Sequence, residues 1–80
     1  MQYPRQRGLI RQWKLLQALE AVQPRGLSWV QLIAAADESV CERTVRRDID
    51  TLTIAGFPVD VVSLPAGAKV YLRQRLLRAL

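Results

Sequence analysis

The chain has 80 residues, of which twelve are basic and seven acidic, and it carries a formal net charge of +5. It contains no histidine and a single cysteine, which excludes a disulfide, an ordinary zinc site and a Cys/His catalytic pair within the chain. A chain this short forms one small domain with little room for a catalytic cleft, so we expect a binding protein that is not an enzyme and needs no cofactor. No apolar run approaches the roughly 20 residues of a membrane-spanning helix, and we expect a cytoplasmic protein.

Basic residues concentrate near both ends of the chain, and most of them are arginine. Arginine presents a planar fork of donors that suits phosphate groups and guanine edges, which favours a polyanionic partner. Residues 1–7 form a predicted flexible basic arm. The arm contains Arg5 and Arg7, and Arg11 follows it. These arginines either enter the minor groove of a nucleic acid or are simply solvated.

The first helix is predicted from Gly8 to Val22, because apolar residues recur there at intervals of three and four positions. Proline and glycine in the following segment, Gln23-Pro24-Arg25-Gly26, end the helix in a turn. The apolar stripe consists of Leu9, Trp13, Leu16 and Leu19, and we expect Trp13 in the core.

A second helix is predicted from about Trp29 to Ala35 or Ala36. Ser28 is a favourable N-cap, and Gln31 three residues later completes a capping box, in which the two residues exchange side-chain to backbone hydrogen bonds. We expect Trp29, at the first helical position, to be partly exposed. Ser28 and Trp29 are therefore predicted to contact the DNA backbone at a phosphate.

A third helix is predicted over about residues 41–55, because Val45, Ile49 and Leu52 fall on one helical face and glycine and proline follow. Asp48 lies toward the flank of that face. DNA phosphates would repel its carboxylate, so we predict a structural hydrogen bond or ion pair for Asp48.

The opposite face of this helix carries Arg43 and Arg47 one turn apart, with Thr44 beside them. A helix anchored by one face and presenting arginines on the other fits the major groove of DNA, where arginine can bind guanine with two hydrogen bonds. We predict base contacts from Arg43, Thr44 and Arg47, and a backbone contact from Arg46. The alternative is a solvated face on which Arg46 pairs with Asp50.

A β-hairpin is predicted after the third helix, because the apolar period changes there from helical spacing to alternation. The runs from Val59 to Val62 and from Lys69 to Arg73 are rich in β-forming residues, and Pro65-Ala66-Gly67 between them forms a turn. Lys69, near the tip, is a predicted contact to the DNA backbone. The alternative is a solvated two-stranded edge.

Three helices and a hairpin predict a mainly α fold with a small β-hairpin, a winged helix-turn-helix. The domain is predicted over residues 8–73, and residues 74–80 form a linker or the start of a C-terminal helix. The predicted function is sequence-specific binding of double-stranded DNA. The competing hypothesis is a protein-interaction module that uses the third helix or the segment from Leu76 to Leu80, and the two differ in the salt dependence of binding.

Four segments follow a pattern found in a known family: Arg11-Gln12-Trp13, the run from Arg43 to Ile49, Gly56-Phe57-Pro58-Val59, and Tyr71-Leu72. They resemble the N-terminal winged helix of the WYL-domain bacterial transcription regulators, whose broader relatives are repressors of sugar and nucleoside catabolism. The resemblance covers approximately Arg7 to Arg73. It implies a nucleoid-associated regulator or repressor that binds duplex DNA, usually as a homodimer, with Arg43, Thr44 and Arg47 in the groove.

The chain departs from the family at two points. Cys41 stands where the family commonly has a serine cap; its thiol is either a redox sensor at a helix N-terminus or an incidental replacement. The family's C-terminal portion, which senses ligands and dimerises, is absent from these 80 residues. We therefore expect either the DNA-reading part of a larger sensor protein or a small stand-alone DNA-binding protein.

Overall fold

A computed structural model of the protein describes residues 4–36 and 39–76, and within these ranges it describes side chains from residue 7 onward. This part of the chain forms three helices and three strands, so the fold is mixed α/β rather than mainly α. None of the described helices is both long and apolar enough to cross a membrane. The elements in chain order are α1 (Pro4–Val22), β1 (Gly26–Leu27), α2 (Trp29–Ala35), α3 (Glu42–Ile54), β2 (Val59–Leu64) and β3 (Gly67–Leu72).

The core lies between the three helices and one face of the sheet. Val45, Ile49 and Leu52, predicted on the inner face of α3, are all buried, which confirms that part of the prediction. Burial of one such side chain contributes about 1.5–3 kcal/mol to folding. The buried apolar residues are Leu15, Leu16, Leu19, Trp29, Leu32, Ala36, Val45, Ile49, Leu52, Val59, Val70 and Leu72.

Helix α1 begins earlier than predicted, at Pro4 rather than at Gly8. The flexible arm predicted over residues 1–7 is therefore helical from Pro4 onward, and residues 1–3 lie outside the described part. Proline is favourable at the start of a helix, because its missing N–H would have no intrahelical partner there.

The prediction that Trp13 belongs to the core is wrong, because only the C-terminal part of the predicted stripe, Leu16 and Leu19, lies on the buried face of α1. The Trp13 side chain is 45% exposed, and Leu9 and Ile10 are 68% and 50% exposed. In this half of the helix Arg11 and Gln12 point inward, where their polar groups bind a carboxylate of α3.

The termini of α2 and α3 follow the predicted local motifs. At α2 the Ser28 Oγ accepts a hydrogen bond from the Gln31 N–H (3.2 Å), and the Gln31 Oε1 accepts one from the Ser28 N–H (2.9 Å), which confirms the capping box. At the end of α3, Gly56 has a φ of 105°, and the Phe57 N–H donates to the Leu52 carbonyl oxygen (3.1 Å). This αL glycine closes the helix and turns the chain toward β2.

The sheet is antiparallel with the order β1-β3-β2, and strand β1 is absent from the sequence prediction. Gly26 pairs with Tyr71, and Leu27 pairs with Val70. A Cβ at position 26 would lie 2.3 Å from the Val70 carbonyl oxygen, so the close approach of β1 to β3 requires glycine. Strands β2 and β3 are joined by the two-residue turn Pro65-Ala66, which is shorter than the predicted turn.

The chain after β3 returns to the C-terminal half of α1. The Leu76 N–H donates a hydrogen bond to the Glu20 Oε1 (2.9 Å), and the Leu76 side chain packs against the core. The linker or helix predicted over residues 74–80 extends into residues 77–80, which lie outside the described part.

Candidate nucleic-acid interface

The inner flank of α3 holds a buried ionic network. Asp48 is only 3% exposed, and its carboxylate accepts hydrogen bonds from Arg11 and from the Gln12 amide, the latter at 3.1 Å. The structural role predicted for Asp48 is therefore confirmed. Arg11, predicted as part of a basic arm for DNA, is instead committed to this carboxylate and holds α1 against α3.

The outer face of α3 presents Arg43 and Arg47 to solvent, as predicted from the helical period. Residue 47 follows residue 43 by about one helical turn, so both side chains project from the N-terminal half of the same face. In the part of the chain that the structure describes, neither guanidinium is paired with a carboxylate. Their hydrogen-bond donors are available for a ligand.

Arg46 lies at the edge of this face and contacts two neighbours. Its guanidinium stacks over the Trp29 ring, 4.6 Å from the ring centroid, and its Nε donates to the Glu42 Oε2 at 2.7 Å. The alternative pairing of Arg46 with Asp50 does not form, because Arg46 turns toward the N-terminus of α3 and pairs with Glu42. The Arg46 side chain is 54% exposed, so neither contact removes it from solvent.

The expectation that Trp29 is partly exposed is wrong. Trp29 is 9% exposed, because it lies on the same side of α2 as Leu32 and packs with it into the core. The Trp29 Nε1 is buried and has no hydrogen-bond partner among the described residues. The side of the ring that is not packed in the core carries the Arg46 guanidinium, so Trp29 fixes the position of a cation next to α3.

The N-terminus of α3 has a cysteine in the cap position. Cys41 has extended backbone geometry but its side chain makes no capping hydrogen bond, and the helix begins at Glu42. The Cys41 Sγ lies 3.5 Å from the Thr44 Oγ1, and Thr44 is half-buried. The Thr44 hydroxyl lowers the pKa of the exposed Cys41 thiol below its ordinary value.

Two other predicted backbone contacts lie on α2 and on the hairpin. Ser28 is half-buried, and its Oγ accepts the capping bond, which leaves its hydroxyl proton for another acceptor. Lys69 is exposed on β3 opposite Val62 and has no ion-pair partner among the described residues. Arg73, by contrast, donates to the Asp60 Oδ1 at 2.8 Å.

Two surface features of the fold have no signal in the sequence pattern. Arg25, in the turn between α1 and β1, is exposed beside a groove on the outer face of the sheet. Leu9, Ile10 and Trp13 form an exposed apolar patch on α1. Both depend on how α1 and the sheet are oriented, and the hydrophobic spacing predicts the buried face of α1 correctly only in its C-terminal half.

The described residues contain no group of three or more His, Cys, Asp or Glu side chains that could hold a metal ion. Comparison with protein-family models, with curated proteins and with solved structures finds no match to this chain.

Proposed function

We propose that the chain is a winged helix-turn-helix domain that binds double-stranded DNA with α3 in the major groove. The observation that carries the proposal is the pair Arg43 and Arg47, which lie one turn apart on an exposed helical face without a carboxylate partner in the described part of the chain. The element order supports it, because helix, strand, helix, helix and a two-stranded hairpin is the arrangement that a winged helix requires.

The proposed mechanism separates sequence reading from positioning. Arg43, Thr44 and Arg47 contact base edges, since the groove admits one helix and its N-terminal half approaches the bases. Ser28, Arg46 and Lys69 contact phosphates and set the register of the domain on the duplex. Trp29 acts indirectly, as the ring over which the Arg46 guanidinium is held. The resemblance to WYL-domain regulators supports a role as the DNA-reading module of a bacterial-type transcription regulator.

We further propose that two copies bind paired half-sites. The apolar patch of Leu9, Ile10 and Trp13 supports this, because exposed apolar clusters of large side chains mark contact surfaces. The same patch also supports the second candidate function, a protein-interaction module whose partner is another protein. Binding to duplex DNA discriminates the two, since only a contact with a polyanion releases condensed counterions and weakens steeply with salt.

The test is a selection from random duplex DNA with the purified chain, followed by salt titration of the enriched sequence. An enriched two-fold symmetric motif, bound with a steep salt slope, supports a dimeric DNA-binding domain and gives the half-site spacing. Absence of any enriched motif, together with binding that is insensitive to salt, contradicts DNA reading by α3 and favours the protein-interaction module.

A further inference from the structure

The outer face of the sheet carries a groove that the base-reading residues do not use. It has a volume of about 290 Å³ and runs between the turn that follows α1 and the β2-β3 hairpin. The strand register explains its lining, because Val62 pairs with Lys69 and Leu64 with Gly67, on the face opposite the buried Val70. Its lining residues are Pro24, Arg25, Gly26, Val62, Leu64, Lys69 and Tyr71.

Charge is distributed unevenly around this groove. Arg25 and Lys69 are both exposed and have no ion-pair partner among the described residues, and no acidic side chain lines the groove. Asp60, which pairs with Tyr71 across the strands, already binds Arg73 at 2.8 Å. The groove therefore presents two uncompensated positive charges beside an apolar floor.

We propose that this groove binds the sugar–phosphate backbone of duplex DNA, with Arg25 and Lys69 on phosphates and the exposed side chains of Val62 and Leu64 against deoxyribose. The inference rests on the proposed function and extends it to Arg25 and to the outer sheet face. Charge complementarity selects this occupant, because two cations without an anion suit a polyanion. An apolar floor suits the sugar that lies between successive phosphates.

The test compares the salt dependence of duplex binding in three proteins: wild type, the double variant Arg25→Gln/Lys69→Gln, and the control Arg75→Gln, which removes a positive charge elsewhere on the surface. Arg75 is exposed and lies outside both the groove and α3. Two phosphate contacts contribute about 1.8 to the slope of log affinity against log salt, at 0.9 each. Between 50 and 200 mM salt the wild type should therefore lose about 12-fold more affinity than the groove variant.

The control variant should retain the wild-type slope, and both variants should retain the wild-type melting temperature, because none of the three side chains is buried. A groove variant with the wild-type slope, or a control that reduces the slope equally, overturns the proposal. In either case sequence-dependent loss of binding in Arg47→Ala would leave the proposed function standing. A wild-type chain that binds no duplex, or that prefers a single strand, overturns both.

The apolar floor has its own test. Leu64 is 45% exposed, and Leu64→Ser should weaken duplex binding about threefold, as expected from the loss of roughly 25 Å² of apolar contact. The salt slope should stay at the wild-type value, since no charge is removed. Unchanged affinity in Leu64→Ser would contradict the sugar contact.

Discussion

Arginine side chains lie at both faces of α3, and the two faces use them in opposite ways. On the inner flank, Asp48 is 3% exposed and is held by Arg11 and Gln12. On the outer face, Arg43 and Arg47 are exposed and have no carboxylate partner within the described residues. Arginine content alone therefore does not locate a ligand surface. An arginine can bind a ligand only if its guanidinium is not already paired with a carboxylate inside the fold.

The largest effect is expected at the inner flank. Arg11→Ala leaves the buried Asp48 carboxylate with Gln12 as its remaining side-chain donor, and it should lower the free energy of unfolding by about 3–5 kcal/mol. For a domain of this size the melting temperature should fall by about 15 °C or more. The change in melting temperature can be measured by thermal unfolding, with circular dichroism as the signal.

The matched control for this prediction is Arg43→Ala, which removes an exposed guanidinium without a partner in the described part of the chain. It should change the free energy of unfolding by no more than about 0.5 kcal/mol. Equal melting temperatures for the Arg11 and Arg43 variants would show that the two faces do not differ as described.

The next largest effect concerns DNA binding by the outer face. Arg47→Ala should cost about 1–3 kcal/mol of binding free energy and relax the preference at one base position. Lys69→Ala should weaken binding to all sequences alike, because a phosphate contact carries no sequence information. Competition binding with single-base variants of the selected duplex measures both, and the same sequence-independent loss in both variants would contradict the assigned roles.

A smaller effect is expected at the boundary between the two faces. Arg46→Ala removes the stack on Trp29 and the ion pair with Glu42, and it should destabilise the fold by about 1 kcal/mol, since the Arg46 side chain is about half exposed. Urea unfolding followed by tryptophan fluorescence measures it. Arg46→Lys retains the charge without the planar stack, so its free energy of unfolding should lie between those of the wild type and Arg46→Ala. Wild-type stability in both variants would show that the stack does not stabilise the fold.

The smallest effect concerns the cap of α3. The Thr44 hydroxyl lowers the pKa of Cys41, so the pH profile of alkylation by iodoacetamide should have a lower midpoint in the folded chain than in urea. By linkage, the stabilisation is present above the pKa of the unfolded thiol and is lost as pH falls through the lower folded pKa. Thr44→Val should raise the folded midpoint, and an unchanged midpoint would contradict the hydrogen bond.

Sequence patterns predict the parts of the fold that depend on local geometry. The buried stripe of α3 and the capping box of α2 follow from residues within one helix, and the hairpin follows from alternation on both sides of a turn. Strand β1 has two residues, and only its pairing with β3 defines it. It could not be predicted from its own sequence, because Gly26 so soon after Pro24 indicates a turn.

In the candidate site, too, some features follow from local sequence and others depend on contacts between elements. The outward direction of Arg43 and Arg47 follows from helical periodicity, whereas the roles of Arg11 and Trp29 depend on contacts between elements. Arg11 meets Asp48 across 37 positions of sequence, and Trp29 is buried because α2 packs into the core. Such contacts decide which basic residues remain available to a ligand, and no pattern within one helix reports them.

The most direct test of the outer-face claim is an NMR titration of the chain with the selected duplex, following the Nε–Hε signals of its arginine side chains. The signals of Arg43 and Arg47 should shift on binding, because their guanidinium groups move from water onto base edges. The Arg11 signal should stay in place, because its partner is Asp48 in both states. Duplex binding that shifts the Arg11 signal, or that leaves Arg43 and Arg47 unperturbed, would contradict the account.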